Sequence, residues 1–184
     1  DNHGLYQALV SGNKVVPIFI FDTAILCQLE NKADRRVDFI FQALNHINVE
    51  LQKTGKSVKI FHGKPLEIFK KITRDFAVEK VFCNEDYEPS AITRDLAVAE
   101  FLNSKKIGFQ SFKDQVHFHK DEILKSDNTP YTVYNPYSKQ WLLKYDAEQT
   151  ESYPPEPYLH PFEPVARQTP SFEDIGLRST ALAF

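Results

Sequence analysis

Glycine, cysteine and excess positive charge are all scarce in this chain, and each scarcity removes a class of function. Its 184 residues hold 6 glycines, and none sits in a GxGxxG or GxxxxGK(S/T) loop, so a classical dinucleotide or P-loop site is disfavoured. The GxSxG elbow of a nucleophilic hydrolase is missing as well. The 2 cysteines, Cys27 and Cys83, make no disulfide framework and no metal-ligand spacing, which suits a reducing cytoplasm. Both are expected to pack as small apolar groups. Lys and Arg number 22 against 25 Asp and Glu, a formal charge of −3. Phosphate neutralisation supplies most nucleic-acid affinity, so this segment is not expected to be the main grip on DNA or RNA. No apolar run approaches the roughly 20 residues of a membrane span, and no secretory or transit pattern opens the chain. A cytoplasmic location is expected.

What is present is apolar and aromatic. A hydrophobic share of 42%, with 15 Phe and 8 Tyr, is enough for a core. Strand and helix patterns alternate along the chain. "KVVPIFIFD" (14–22) is a continuous apolar run, as a strand covered on both faces would read. Val37, Ile40, Leu44, Ile47 and Leu51 then recur at helical spacing from about Asp34 to Lys53, with Gly55 as the stop. Strands are read at 57–63, 79–86 and 107–114. Between them lie helices at 65–76, opened by Pro65, and at 90–106, opened by Ser90 as its cap. This order predicts an α/β fold: a Rossmann-like, doubly wound, five-stranded parallel sheet with helices on both faces. Residues 2–12 read as a helix capped by Asp1 or Asn2. A helix there should follow a strand, so an opening strand is expected upstream, and without it a central slot in the sheet lies open. The domain is placed at 1–148. From 149 to 184 six of the eleven prolines crowd "SYPPEPYLHPFEPVARQTP", which reads as an extended Pro-rich linker.

Ligands of open parallel sheets bind beyond the carboxyl ends of the strands. Asp22 stands at one such end, and Glu85, Asp86 and Glu88 stand at another. In an extended 84–88 segment, Asp86 and Glu88 project to one side and Glu85 to the other. Two carboxylates there repel by about 2–3 kcal/mol at an effective dielectric of 20, so a donor must answer them. Arg36, backbone N–H groups or a ligand rich in N–H and O–H would serve. A solvated loop with an arginine partner, a small-molecule pocket and a divalent-metal site remain open on these residues. His117 and His119 share one face of a short strand, too few ligands for zinc. His62 follows a strand and is positioned to line the crevice.

"DNHGLYQAL" (1–9), "PIFIFD" (17–22), "RRVDFIFQAL" (35–44), "NEDYEPSAITRD" (84–95) and "PYTVYNPYSKQW" (130–141) follow one another in this order. Together they resemble the N-terminal domain of the DNA photolyase/cryptochrome family, most like a deoxyribodipyrimidine photolyase. The resemblance implies an α/β antenna domain followed, in the intact protein, by a helical domain that binds FAD. It implies light-driven carbon–carbon bond cleavage in pyrimidine dimers of UV-damaged DNA, flipped out of the duplex, with the catalytic residues in that other domain. The fragment alone would be inactive, and the protein a monomer. By position in the family's motifs, Phe19, Asp22, Arg36, Asp86 and Glu88 would hold an antenna chromophore. The 8-hydroxydeazaflavin or FMN type fits better than folate, because Ser90 and Ala91 stand where a folate-type member carries Asn-Glu. A cryptochrome that signals, or a stand-alone nucleotide-binding module, are the alternatives. The aromatic stretch 130–141 is expected to form a turn near the domain junction, packing against the helical domain or stacking on bases.

Overall fold

The computed structural model describes residues 2–147, 152–164 and 169–180. Helix α1 (His3–Val10) begins where the Asn2 side chain accepts the Leu5 N–H at 2.9 Å. The predicted cap is thus Asn2; Asp1 lies outside the described residues. Strand β1 (Ile18–Asp22) follows, and a single helical turn, α2 (Thr23–Leu26), is capped by Asp22. The long helix α3 (Arg35–Gln52) is capped by Asp34, and its exit turn places Gly55 at φ +73°, a conformation that favours glycine. Next come β2 (Lys59–Gly63), α4 (Pro65–Asp75), β3 (Lys80–Asn84), α5 (Pro89–Ser104) and β4 (Gly108–Phe112). Helix α6 (Tyr134–Ala147) completes the regular elements, ahead of a short 3-10 turn at Glu156–Tyr158. Among the described residues no helix is long and apolar enough to cross a membrane.

The α/β class and the parallel strand direction are as expected, but the strand count is not. The five-stranded sheet is replaced by two parallel pairs, β1 with β2 and β3 with β4. The physical reason is visible in the pairing. The Lys59 N–H reaches the Pro17 carbonyl at 2.9 Å, and Gly108 N–H reaches the Glu79 carbonyl at 3.0 Å. Alternate residues of a parallel strand serve opposite neighbours. The odd-numbered residues of β1 and β3 therefore face β2 and β4, and no described strand answers the even-numbered ones.

Both faces of the strands are covered by helices. Phe19 and Phe21 pack with Leu26, Val37 and Leu44 on the α3 side, whereas Ile18 and Ile20 pack with Phe69, Ile72, Val98 and Leu102 beneath α4 and α5. That second cluster also takes Phe61 from β2, Val81 from β3 and Phe109 from β4, so a single helical layer spans both strand pairs. Two fully buried polar side chains tie the α3 side. Asn48 donates to the Val58 carbonyl at 3.3 Å and accepts its N–H at 2.6 Å. Asp38 receives Gln42 Nε2 at 2.8 Å and, from the far end of the chain, the Thr180 N–H and hydroxyl at 2.5 Å each.

Several local expectations are corrected. Helix α5 starts at Pro89, with Glu88 in the cap position and no side-chain cap bond, so Ser90 is not its cap. A proline at the first helical position needs no N–H, which moves the start one residue forward. The aromatic stretch expected as a turn enters α6 at Tyr134, since Pro136 falls in the first turn, where its missing donor costs nothing. Residues 116–121 form a bend and a turn, not a strand, and their two histidines have different partners. Cys27 is exposed and not packed; it follows the one-turn helix α2. Of the segment read as a linker, 148–151, 165–168 and 181–184 lie outside the described residues. Inside them, Ile175 and Leu177 are buried in the α3 cluster. Ser171 and Asp174 bond each other's backbone N–H at 3.1 and 2.8 Å, a reciprocal cap on a single turn.

Candidate functional site

The carboxyl ends of β1 and β3 carry the acids, and one cation meets both. Arg94 sits in the second turn of α5 with its side chain 31% exposed, and its Nε donates to Asp95 Oδ1 at 2.7 Å. Its guanidinium is held still more firmly charged than usual. The Asp95 hydrogen bond contributes most, burial opposes it, and the charges of Asp95, Asp86 and Asp22 add to it. Asp22 and Asp86 belong to different strand pairs, so Arg94 bridges electrostatically from one pair to the other. Position explains this. On α5 the buried residues Ala91, Val98 and Leu102 mark the inward stripe, and Arg94 lies three residues after the first and four before the second. A charge on an inward stripe was the sequence signal for this residue, and the motif-based reading passed over it in favour of Arg36.

The acids are only partly committed. Asp22 Oδ1 accepts the Ala24 N–H at 2.8 Å, and Asp86 Oδ1 accepts the Glu88 N–H at 3.1 Å. The Glu88 carboxylate is exposed and makes no cap bond. With Asp95 included, three carboxylates act on one guanidinium, leaving a negative notch suited to ligand N–H and O–H donors.

The opposite side of the turn is a separate network. Glu85 lies 3.3 Å from His119 Nε2 and receives the Ser111 hydroxyl at 3.4 Å. Tyr87 lays its ring edge-on to His119, and its hydroxyl is buried without a hydrogen-bond partner among the described residues. Burial first, then Glu85 and Glu122, push that phenol up from its ordinary range. Glu122 anchors the floor. Burial alone would raise its carboxyl, but Lys113 at 2.6 Å, the His119 N–H at 2.9 Å and Lys144 at 3.4 Å outweigh it and hold it at about 2. The extended-segment argument, with Glu85 on one side and Asp86 on the other, matches this division.

The remaining candidates lie further apart. Arg36 is bound to Asp34, Nη2 to Oδ2 at 2.6 Å and Nε to Oδ1 at 3.0 Å. With Arg35, Phe39 and Ile40 it lines an open concavity of about 480 Å³ at the start of α3. Phe19 turns its ring to Phe21, centroids 5.0 Å apart, within the α3-side core. His62 is exposed at the end of β2, close enough to Asp174 to lower its carboxyl slightly after the Ser171 bonds have done most of the work. Asp22 and Asp86 thus both act on Arg94, Glu88 is exposed at the start of α5, and Phe19 and Arg36 lie on the α3 side.

The sequence profile of a family described as DNA photolyase matches residues 1–158. A deoxyribodipyrimidine photo-lyase from Synechococcus is 30% identical over 141 residues, covering 77% of this chain and 29% of that protein. One from Halobacterium salinarum is 27% identical over 192 residues, covering 96% of this chain and 38% of its own length. The crystal structure of an archaeal photolyase from Sulfolobus tokodaii, with two FAD molecules and described as implying a novel light-harvesting cofactor, superposes with a TM-score of 0.60 at 28% identity; the match covers 76% of this chain and 32% of that one. The chain spans about a third of the length of these relatives. On the match over residues 1–158, this chain belongs to the DNA photolyase family.

Proposed function

We propose that residues 1–184 form the light-gathering α/β portion of a deoxyribodipyrimidine photolyase, whose intact polypeptide repairs pyrimidine dimers in UV-damaged DNA with FAD bound in a further domain. The observation that carries the reading is the charge arrangement at the mouth: Arg94 set among Asp22, Asp86 and Asp95 at the carboxyl ends of two parallel strand pairs. Ligands of such sheets bind there. The donor set fits a flavin-like antenna pigment of the 8-hydroxydeazaflavin or FMN type. Asp22, Asp86 and Glu88 would accept ring N–H and polyol O–H groups, Arg94 would donate to ring carbonyls, and Phe19 and Arg36 would line the α3 side. When bound, such a pigment absorbs near-ultraviolet or blue light and passes the excitation to the flavin. No catalytic residue is assigned within this chain.

The test uses the intact polypeptide. Its purified form should show flavin absorption and remove dimers from irradiated DNA under blue light but not in darkness. Asp86→Ala and Glu88→Ala should each lose antenna pigment, with light-driven repair retained at saturating illumination. Equal dimer loss in the dark, or pigment retention unchanged in both variants and equal to that of Glu85→Ala, overturns the reading.

A further inference from the structure

Basic residues that lie scattered along the sequence are brought together at the amino ends of the strands. Parallel strands all start on the same side, so the residues that open them share one rim. Lys59 opens β2 and Lys80 opens β3, while Lys105 and Lys106 follow the last turn of α5, just before β4. Lys14 stands at the approach to β1. Beside it Asn13 donates to Glu79 Oε2 at 3.4 Å, which ties the entry of β1 to that of β3. Lys80 lies opposite Gly108 in register, where an added Cβ would meet the Lys80 Cγ at 3.2 Å. The Lys80 stem therefore lies against the start of β4, two residues after Lys106.

Two of these ammonium groups are held over aromatic rings. Lys59 Nζ lies 5.2 Å from the centroid of Phe76, and Lys80 Nζ lies 5.5 Å from that of Phe82. Such contacts restrain a side chain without cancelling its charge. The acids nearby are already taken. Glu163 pairs with Lys14 at 3.0 Å, Asp75 with Arg74 at 3.1 Å, Glu50 with Lys53, and Glu79 holds Asn13. Among the described residues no carboxylate forms an ion pair with Lys59, Lys80, Lys105 or Lys106. Lys80, Lys105 and Lys106 are exposed, and Lys59 is half-buried. The other end of the strands sets Asp22, Asp86 and Asp95 about Arg94, so a formal charge of −3 conceals two opposite poles.

We infer that the amino-end rim formed by Lys59, Lys80, Lys105 and Lys106 is a contact surface for the phosphodiester backbone of DNA, separate from the antenna mouth at the opposite end. Charge complementarity selects the occupant. A duplex carries one negative charge per about 1.7 Å of its axis, and adjacent strands begin about 4.8 Å apart, so neighbouring strand entries meet several phosphates together. Contacts of this kind position a duplex without reading its bases, so binding here is independent of sequence and of damage. The choice of DNA rests on the photolyase reading above; the charge of the rim does not.

The test measures binding of the intact polypeptide to an undamaged duplex in darkness, by fluorescence anisotropy across a salt series. Lys80→Gln, Lys105→Gln and Lys106→Asn are combined; asparagine suits position 106, whose φ is +61°. Each phosphate contact contributes about 0.9 to the slope of log affinity against log salt, so the triple variant should lower that slope by about 2–3 and weaken low-salt binding at least tenfold. Lys32→Gln, Lys64→Gln and Lys120→Gln together remove the same charge away from the rim and should leave the slope unchanged. An unchanged slope in the rim variant overturns the inference, and so does an equal loss in the control set, since net charge would then account for both. Loss of binding to phosphatidylserine vesicles with the DNA slope intact would assign the rim to a membrane and overturn it as well. If the triple variant does not fold, Lys105→Gln with Lys106→Asn should still lower the slope by about 1–2. Light-driven dimer removal is measured separately: rim-dependent binding by a polypeptide that repairs nothing would defeat the photolyase reading and uphold this one.

Discussion

Asp38→Ala should detach the C-terminal segment from α3. Asp38 is fully buried, and its carboxylate takes bonds from Gln42, from the Thr180 N–H and hydroxyl, and from the Ser179 hydroxyl at 3.4 Å. Truncation leaves the Thr180 N–H and the Gln42 amide without that acceptor. Hydrogen bonds to a charged group contribute about 1.5–3 kcal/mol each, and breaking a buried charged network costs about 3–5 kcal/mol. Assigning about 3 kcal/mol to local opening of residues 171–180 raises the open population roughly 150-fold. Ile175 and Leu177 hold the segment by apolar burial, so opening exposes both. Trypsin reads this directly at Arg178, whose N–H is bonded to the Lys32 carbonyl at 2.8 Å in the closed form. When reclosing outpaces cleavage, the rate tracks the open population. Cleavage after Arg178 should therefore rise by about two orders of magnitude in Asp38→Ala and by less in Asp38→Asn, which keeps one acceptor. Hydrogen bonds from Gln42 and Thr180 hold the Asp38 carboxyl below its ordinary range against burial. A depressed folded-state pKa stabilises above the unfolded value and is lost as pH falls through the folded one, so protection of the Arg178 amide, measured relative to its intrinsic exchange rate, should fall below about pH 4. Cleavage at Arg178 that is unchanged in Asp38→Ala, with Arg178 amide protection flat with pH, would refute the latch.

Further outcomes follow from single contacts. Arg94→Gln should strip the antenna pigment from the intact polypeptide, while Arg36→Gln, whose guanidinium is spent on Asp34, should reduce retention far less; absorption after gel filtration measures both. Asn48→Ala leaves both Val58 backbone groups unanswered and should lower stability by about 2–3 kcal/mol, read as a lower urea midpoint at unchanged slope. Glu122 is held at about 2, so its contribution is complete above its ordinary range near 4.5 and disappears as pH falls towards 2; acid titration of Lys113→Met should show that window narrowed. Burial pushes the Cys83 thiol up to about 11, whereas Cys27 is exposed, so iodoacetamide at neutral pH should label Cys27 at least tenfold faster, by peptide mass mapping.

The sequence was most legible where one local rule decided the outcome. The apolar runs at 14–22 and 79–86 became β1 and β3, and the Val37–Leu51 spacing became α3. Pro65 and Gly55 marked helix ends as read. Legibility failed where distant partners decided. Arg36 carries the motif, but Asp34, two residues away, captures it; Arg94 is drawn in by acids from two separate strand pairs. The histidines at 117 and 119 depend on Trp141 and Tyr145 for one and on Glu85 for the other, none of them near in sequence. The composition of 171–180 reads as the end of a linker, yet Asp38, over a hundred residues away, gives it a docking point.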